Sequence, residues 1–176
     1  NSCTAPTNEK DYSVFVNPFI GTGGHGHTFP GAVVPHGMIQ PSPDTRIDGW
    51  DACSGYYYED STINGFSHTH VSGTGCCDYG DVLLMPTVGE QRYQTTDPQS
   101  QQLAYSSAFS HENETAEPGY YSVFLDTYQV KAEISATKRG AIHRYTFPES
   151  SEAGFILDLD YSLQRQTNSD MGIEVI

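Results

Sequence analysis

Residues 21–81 concentrate the side chains of this protein that are capable of binding or chemistry. They contain five of the seven histidines, the only tryptophan, three of the four cysteines and a run of three tyrosines. Glycine recurs every few residues through the same stretch. A packed core is filled by apolar side chains, whereas His, Trp, Tyr and Asp on glycine-rich loops form binding surfaces. We therefore predict that the functional site lies within residues 21–81.

Flat aromatic rings stand beside carboxylates in two parts of this stretch. The first is Trp50-Asp51, and the second is the segment GYYYED at residues 55–60. A ring stacks on the C–H face of a sugar, and a carboxylate accepts hydrogen bonds from its hydroxyls. The pattern favours a sugar site; the alternative is that Trp50 and alternate tyrosines pack the core. Because neighbours on a strand face opposite sides, at least one of the three tyrosines is expected to be buried.

Two His-x-His pairs, His25 with His27 and His68 with His70, raise the possibility of a metal site. Alternate residues of an extended chain point the same way, so each pair would supply two zinc ligands. Further ligands would come from Cys76, Cys77 or Asp78. The alternative is that these histidines bond backbone carbonyls or ligand hydroxyls. A calcium ion would instead prefer carboxylate and carbonyl oxygens, for which the candidates are Asp44, Asp48, Asp51 and Asp78.

Neither a nucleotide motif nor a catalytic pair stands out. Residues 21–26 match G-x-G-x-x-G, but Pro30 and Gly31 block the helix that such a loop needs in order to bind a pyrophosphate. No G-x-S-x-G elbow accompanies the serines near His68 and His70. Hydrolysis of a glycoside needs two carboxyl groups that flank the bond. Spacing selects no pair among the candidates, which are Asp44, Asp48, Asp51, Glu59, Asp60, Asp78 and Asp81.

Charge and hydropathy exclude several classes of partner. The formal net charge is −14, and Arg46 is the only Lys or Arg between Lys10 and Arg92. Nucleic acids and anionic membranes are bound by clusters of Lys and Arg, so we predict neither partner. The chain has no run of about 18 apolar residues, so we predict no transmembrane segment.

The cysteines leave alternatives open. Adjacent cysteines rarely bridge each other, so the only plausible internal disulfide joins Cys53 to Cys76 or Cys77; buried free thiols are the alternative. Cys3 lies in a polar lead, residues 1–11, which we expect to be disordered. Either Cys3 is the lipid-bearing cysteine of a processed bacterial lipoprotein, or the sequence begins at an arbitrary point.

The secondary-structure signals are almost all those of β-strands. We predict strands at residues 12–20, 82–85, 120–125, 129–137, 141–147 and 154–159. Their spacing of about 8–14 residues is typical of an antiparallel sandwich or barrel. Val130, Ala132 and Ile134 alternate with polar residues, which indicates a half-buried strand. Residues 172–176 look like the start of another strand, so we interpret the chain as part of a longer protein.

The chain resembles the N-terminal domain of glycoside hydrolase family 92, the bacterial calcium-dependent exo-α-mannosidases. The resemblance covers nearly everything from about residue 12 onward, and its motifs are long and unusual. They are VNPFIGTGGHGHTFPGAVVPHGMIQPSPDT, GWDACSGYYYED, INGFSHTHVSGTGCCDYGDVLLMPTVG and EPGYYSVFLDTYQVKAEISATKRGAIHRYTFP.

The resemblance implies an all-β fold, an antiparallel β-supersandwich of the galactose-mutarotase-like kind over residues 12–176 that is incomplete at its C-terminal end. In the family a larger (α/α)6-barrel domain follows, and this chain does not contain it. The implied reaction is release of terminal α-linked mannose with inversion, with calcium holding the sugar hydroxyls O2 and O3. Because the family's acid and base belong to the barrel, we expect no catalytic residue here and expect the calcium ligands mainly outside this chain.

By the same resemblance, the loops of residues 21–81 face the sugar in the crevice between the two domains. The residues expected to bind substrate are His25, His27, Trp50, Asp51, Tyr57, His68, His70 and Asp78. The leading hypothesis is the N-terminal portion of an inverting exo-α-mannosidase of the α-1,2 type that trims N-glycans in the periplasm or at the surface of a Gram-negative bacterium. The isolated chain is predicted to be inactive. The alternatives are a stand-alone carbohydrate-binding module and a zinc-dependent hydrolase.

Overall fold

Short antiparallel strands joined by long loops make up this protein. The structure, a computed structural model, describes residues 10–93, 100–165 and 171–174. Those residues form ten strands and four single-turn 3-10 helices, with no α-helix among them. Within the same ranges, no helix is long and apolar enough to cross a bilayer. The strands are β1 (Ser42–Asp44), β2 (Thr62–Ile63), β3 (Gly65–Ser67), β4 (Leu83–Val88), β5 (Ser107–Ala108), β6 (Glu114–Glu117), β7 (Tyr120–Leu125), β8 (Val130–Ala136), β9 (Ala141–Thr146) and β10 (Ala153–Asp158).

The strands form three sheets in which every pairing is antiparallel. One four-stranded sheet has the order β1-β3-β4-β10, and the other follows the chain as β6-β7-β8-β9. Strands β2 and β5 form a separate pair. The two larger sheets pack face to face: the ring of Phe66 in β3 lies 6.4 Å from that of Tyr121 in β7 and 6.2 Å from that of Tyr145 in β9. The expected all-β, sandwich-like architecture is confirmed.

Strand β8 shows how the sequence pattern produces this core. Val130, Ala132 and Ile134 are fully buried, while Lys131 and Ser135 face solvent. The exception is Glu133, whose carboxylate accepts hydrogen bonds from the Tyr120 hydroxyl at 2.9 Å and from the Arg144 guanidinium at 2.6 Å. These partners satisfy a carboxylate that is only 7% exposed.

The longer predicted strands are found close to their expected bounds. Residues 120–125 match β7, and the strands predicted at 129–137, 141–147 and 154–159 correspond to β8, β9 and β10. The strand predicted at 82–85 runs to Val88. The shortest strands, which are β1, β2, β3, β5 and β6, were not predicted because two to four residues are too few to show a period of two.

The strand predicted at residues 12–20 is wrong. Ser13–Phe15 is a 3-10 helix followed by turns. The Asp11 carboxylate accepts from the backbone N–H of Ser13 at 2.9 Å, and the Asn17 side chain accepts from that of Phe19 at 3.0 Å. Such local side-chain bonds to the backbone compete with strand pairing.

The two ends of the chain lie partly outside the described ranges. Residues 172–174 form no strand, so that part of the expected terminal strand is not found. Residues 175–176 lie outside the described residues, as do Cys3 and most of the lead, residues 1–11.

Candidate functional site

Three ring side chains and one carboxylate meet on the surface of the glycine-rich region. His25 Nδ1 lies 2.5 Å from Asp51 Oδ1. The Trp50 ring contacts two imidazoles, with its centroid 4.9 Å from that of His25 and 4.4 Å from that of His27. Trp50 remains 55% exposed. We call His25, His27, Trp50 and Asp51 the Trp50 cluster.

His27 differs from His25 because it belongs to the interior of the cluster. Its side chain is 5% exposed, against 71% for His25. His27 Nδ1 lies 2.8 Å from the carbonyl oxygen of Thr74. Its Nε2 is 3.8 Å from Asp51 Oδ1 and is a buried atom for which the described residues supply no hydrogen-bond partner. A water molecule or a ligand hydroxyl placed between His27 and Asp51 would satisfy it.

The loop of residues 21–27 is held by its own glycines and by two neighbouring segments. A Cβ on Gly26 would collide with the carbonyl of Gly21, so no larger residue fits there. The Thr22 carbonyl accepts from the N–H of Tyr58 at 3.0 Å, and the His27 carbonyl accepts from that of Gly73 at 2.7 Å. The loop therefore lies between the tyrosine segment and the segment that follows His70.

Trp50 is carried by a 3-10 helix, Trp50–Ala52, which packs against residues 74–77. A Cβ on Gly75 would lie 2.8 Å from the indole Nε1, so this close approach requires glycine. At the other end of the helix, the Cys53 backbone N–H donates to the Trp50 carbonyl at 3.3 Å. The ring is thus fixed by local backbone geometry as well as by the two histidines.

Of the three tyrosines, Tyr57 is the one whose ring is held at the surface by a cation. The Arg46 guanidinium stacks 3.9 Å above the Tyr57 ring and forms a two-pronged ion pair with Asp60, at 2.9 Å for each prong. Tyr56 is buried, as expected for at least one of the three. An open cleft of about 440 Å³ adjoins Arg46, Trp50 and Asp51.

The buried carboxylate of Glu114 holds the tyrosine segment in place. Glu114 accepts from the hydroxyls of Tyr56 at 3.0 Å and Tyr121 at 2.6 Å, and it pairs with His111 Nδ1 at 2.6 Å. Burial and this carboxylate raise the pKa of both phenols, so they remain protonated donors. The other His111 nitrogen lies 2.6 Å from the Tyr58 carbonyl, and the two rings stack. Nothing in the sequence pattern indicated His111 or Glu114, because both lie far from the motif region.

The second His-x-His pair is not part of the Trp50 cluster. The His70 side chain is fully buried; its Nε2 lies 2.8 Å from Asp44 and its Nδ1 lies 2.6 Å from the Gln40 carbonyl. His68 is partly buried, with Nδ1 2.7 Å from the Val82 carbonyl and Nε2 3.1 Å from His143 Nε2. Both histidines therefore have protein partners on both nitrogens. Each bonds a backbone carbonyl, as the alternative to metal binding predicts. Asp78, by contrast, is exposed.

The structure does not assemble the metal site that the histidines and cysteines suggested. Across the residues that are described, no group of three or more His, Cys, Asp or Glu side chains is arranged to hold a metal ion. Cys53 and Cys77 are buried thiols, with their sulfurs 2.9 Å apart, and Cys76 is exposed. The zinc-dependent hydrolase is therefore left without a structural basis in these residues.

One carboxylate beside the cleft, that of Asp48, is held as an anion. Asp48 pairs with the Arg165 guanidinium at 2.9 Å and accepts from the Gln101 amide at 2.6 Å, and these bonds hold its pKa below the usual value. Asp60 is paired with Arg46. A general acid for glycoside hydrolysis needs a raised pKa. Asp48 is thus suited to shaping the cleft and not to protonating a leaving group.

Comparison with known proteins identifies the class to which this sandwich and its surface cluster belong. The model of the glycosyl hydrolase family 92 N-terminal domain matches residues 15–176. The chain belongs to glycoside hydrolase family 92, and it corresponds to the N-terminal domain of that family. The recognition of the family from its motifs is confirmed.

Individual relatives agree with this membership. A solved α-mannosidase of family 92 from Bacteroides thetaiotaomicron, determined with mannoimidazole, is 44% identical with a TM-score of 0.81, over 86% of this chain and 20% of that chain. An inverting family 92 mannosidase of the same bacterium is 34% identical with a TM-score of 0.70, over 87% of this chain and 20% of its own. An uncharacterized secreted glycosidase of Arthroderma benhamiae is 31% identical over 81% of this chain and 18% of that protein. The chain thus spans about a fifth of the length of these relatives.

Proposed function

We propose that this chain is the N-terminal, sugar-positioning part of an inverting exo-α-mannosidase that trims mannose from glycans. The observation that carries the proposal is the exposed Trp50 ring beside Asp51 and His25, on the surface of a family 92 domain. Among its relatives are proteins described as α-mannosidases, one of them inverting. We further propose specificity of the α-1,2 type.

In this proposal the Trp50 cluster binds the sugar without breaking its bond. The indole stacks on a C–H face of the ring, which contributes about 1 kcal/mol beyond the area it buries. Asp51 accepts from a sugar hydroxyl, and the unpartnered Nε2 of His27 takes a second polar contact. Arg46, whose guanidinium stacks on the Tyr57 ring, borders the cleft beside Trp50 and Asp51. Inversion then requires an acid and a base about 6.5–9.5 Å apart on opposite faces of the sugar. We place both on the remainder of the protein and expect the 176-residue chain alone to be inactive.

In this proposal calcium is bound mainly by the remainder of the protein and not by this chain. Among the described residues, no three His, Cys, Asp or Glu side chains are arranged to hold a metal ion. The expectation is that the ion binds mainly to side chains outside this chain.

We also propose a location outside the cytoplasm, in the periplasm or at the surface of a Gram-negative bacterium. A relative of this chain is described as secreted. Attachment through a lipid on Cys3 is part of the same proposal. Mass spectrometry of the N-terminal peptide from the native host tests it: an unmodified Cys3 would contradict the lipid anchor.

The decisive experiment measures mannose release by the intact protein from α-1,2-, α-1,3- and α-1,6-linked mannobiosides, with and without a calcium chelator. We expect the α-1,2 substrate to be preferred, the first product to be β-mannose by NMR, and the chelator to abolish turnover. Trp50→Ala should reduce kcat/KM at least about fivefold, since stacking worth about 1 kcal/mol corresponds to that factor. Tyr93→Ala, which removes an aromatic ring that is 67% exposed outside the cluster, is the matched control. Release of α-mannose or the absence of mannosidase activity would contradict the proposal.

A binding experiment on the 176-residue chain distinguishes this proposal from a stand-alone carbohydrate-binding module. A module predicts that the 176-residue chain binds mannose in titration calorimetry and loses binding on Trp50→Ala. The proposal predicts that the chain neither hydrolyses mannosides nor binds mannose measurably, because it holds only part of the site.

A further inference from the structure

Two cysteine sulfurs meet directly behind the turn that carries Trp50 and Asp51. Cys53 Sγ and Cys77 Sγ are 2.9 Å apart, and both residues are buried, at 1% and 5% exposure. Cys53 Sγ also contacts the Trp50 carbonyl at 2.6 Å, and Cys77 Sγ contacts that of Gly49 at 3.3 Å. The two residues are 24 positions apart in the sequence, so they join two separate segments.

We propose that Cys53 and Cys77 form a disulfide in the mature protein, and that this bond fastens the Trp50–Ala52 turn to residues 74–77. Bonded sulfurs are about 2.05 Å apart, so a movement of roughly 1 Å would close the pair. Cys76 is excluded as the partner because its side chain faces solvent while that of Cys77 faces Cys53. The structure thereby decides between the two pairings that the sequence left open.

The bond forms by exchange with an external disulfide. The Cys53 and Cys77 thiols lose their two hydrogens, one S–S bond forms between them, and the incoming disulfide is reduced to two thiols. The oxidant is a protein or small-molecule disulfide of an oxidising compartment, which agrees with the description of one relative as secreted. In the folded thiol form, burial and the Cys77 neighbour raise the pKa of Cys53 to about 12. Little thiolate is then available, so exchange takes place during folding, before the pair is enclosed.

The disulfide would hold together the two segments that form the Trp50 cluster. Residues 49–53 carry the indole and Asp51, while residues 74–77 supply the Thr74 carbonyl that holds His27 and the glycine against which the indole packs. A covalent link between these segments removes conformations from the unfolded chain and keeps the two sides of the cluster at a constant separation. This role does not depend on which glycoside the protein cleaves.

The test is peptide mapping of the intact protein, secreted into an oxidising compartment and alkylated without reduction. We expect the Cys53 and Cys77 peptides to be linked and Cys76 to be alkylated. Free Cys53 and Cys77, or a Cys53–Cys76 link, would overturn the pairing. Cys76→Ser is the matched control and should leave the linkage map unchanged.

Cys53→Ser and Cys77→Ser test the role of the bond. Each should lower Tm by several degrees and increase hydrogen exchange at residues 49–53, with β8 unaffected as the internal reference. If both variants are too unstable to isolate, mild reduction of the wild-type protein gives the same exchange measurement. Unchanged exchange at residues 49–53 after loss of the bond would show that the disulfide does not hold the cluster.

Discussion

The sheet β6-β7-β8-β9 and the loop region of residues 21–81 achieve order in different ways. In the sheet, neighbouring strands pair residue by residue along their whole length, as from Tyr120 opposite Ser135 to Leu125 opposite Val130. One face then buries Val123, Val130 and Ile134. Its stability is shared among many equivalent contacts.

The loop region relies instead on single polar bonds between distant residues. His27 binds the carbonyl of Thr74, His68 that of Val82, and His70 that of Gln40. These three imidazoles satisfy backbone oxygens that no strand partner reaches. Most histidines of the motif region therefore hold the loops in place, and few of them are left free to bind a ligand.

We expect the largest loss of stability from a substitution in the core of the sheet. Ile134→Ala should lower the free energy of unfolding by about 4 kcal/mol, because it leaves a cavity between the two sheets. Ile142→Ala is the matched control, since Ile142 lies on the adjacent strand β9 but is 70% exposed; we expect less than about 1 kcal/mol. Urea denaturation measures both, and similar values for the two variants would contradict a core between the sheets.

A comparable loss from one polar residue is expected in the loop region. Asp44→Ala should cost about 3 kcal/mol, because it leaves the fully buried His70 without its carboxylate partner. Asp78→Ala removes an exposed carboxylate of the same region and should change stability by no more than about 0.5 kcal/mol. If Asp44→Ala is equally mild, the loops do not depend on single polar bonds.

Acid should weaken the contact between the loop region and the sheet. His68 and His143 meet at 3.1 Å through their Nε2 atoms, and burial lowers the pKa of His143 from the ordinary 6.5 to about 4. The unfolded chain therefore takes up a proton that the folded chain resists, so stability is full above pH 6.5 and falls as the pH drops towards 4. Allowing for partial exposure, we expect a loss on the order of 2 kcal/mol from this group.

Unfolding free energies measured from pH 7.5 down to pH 4 check this expectation. In His143→Gln the decline should be shallower than in the wild type, because the titrating group is gone. His36→Gln is the control, as it removes an exposed histidine and should leave the slope unchanged. A wild-type slope in His143→Gln would assign the acid sensitivity to other groups.

The same contrast explains which features were predictable from the sequence. The alternation of Val130, Ala132 and Ile134 repeats every two residues, so β8 could be located within a residue or two. The bonds of the loop region follow no period: Tyr56 meets Glu114 across 58 positions, and His27 meets Thr74 across 47. The residue types of the site were therefore predictable from the motifs, whereas their partners depended on the folded chain.

We expect the smallest effect on stability at His25, the more exposed histidine of the Trp50 cluster. His25 is 71% exposed, so His25→Ala should cost no more than about 0.5 kcal/mol, as for other exposed polar contacts. His27→Ala should cost about 2 kcal/mol, because it removes a buried ring that bonds the Thr74 carbonyl and packs on Trp50. If the Trp50 cluster binds the sugar, His25→Ala should nevertheless raise KM for a mannoside severalfold in the intact protein. A variant with unchanged KM and unchanged stability would mean that His25 serves neither the fold nor the ligand, and the sugar surface would then contract to Trp50, Asp51 and the free nitrogen of His27.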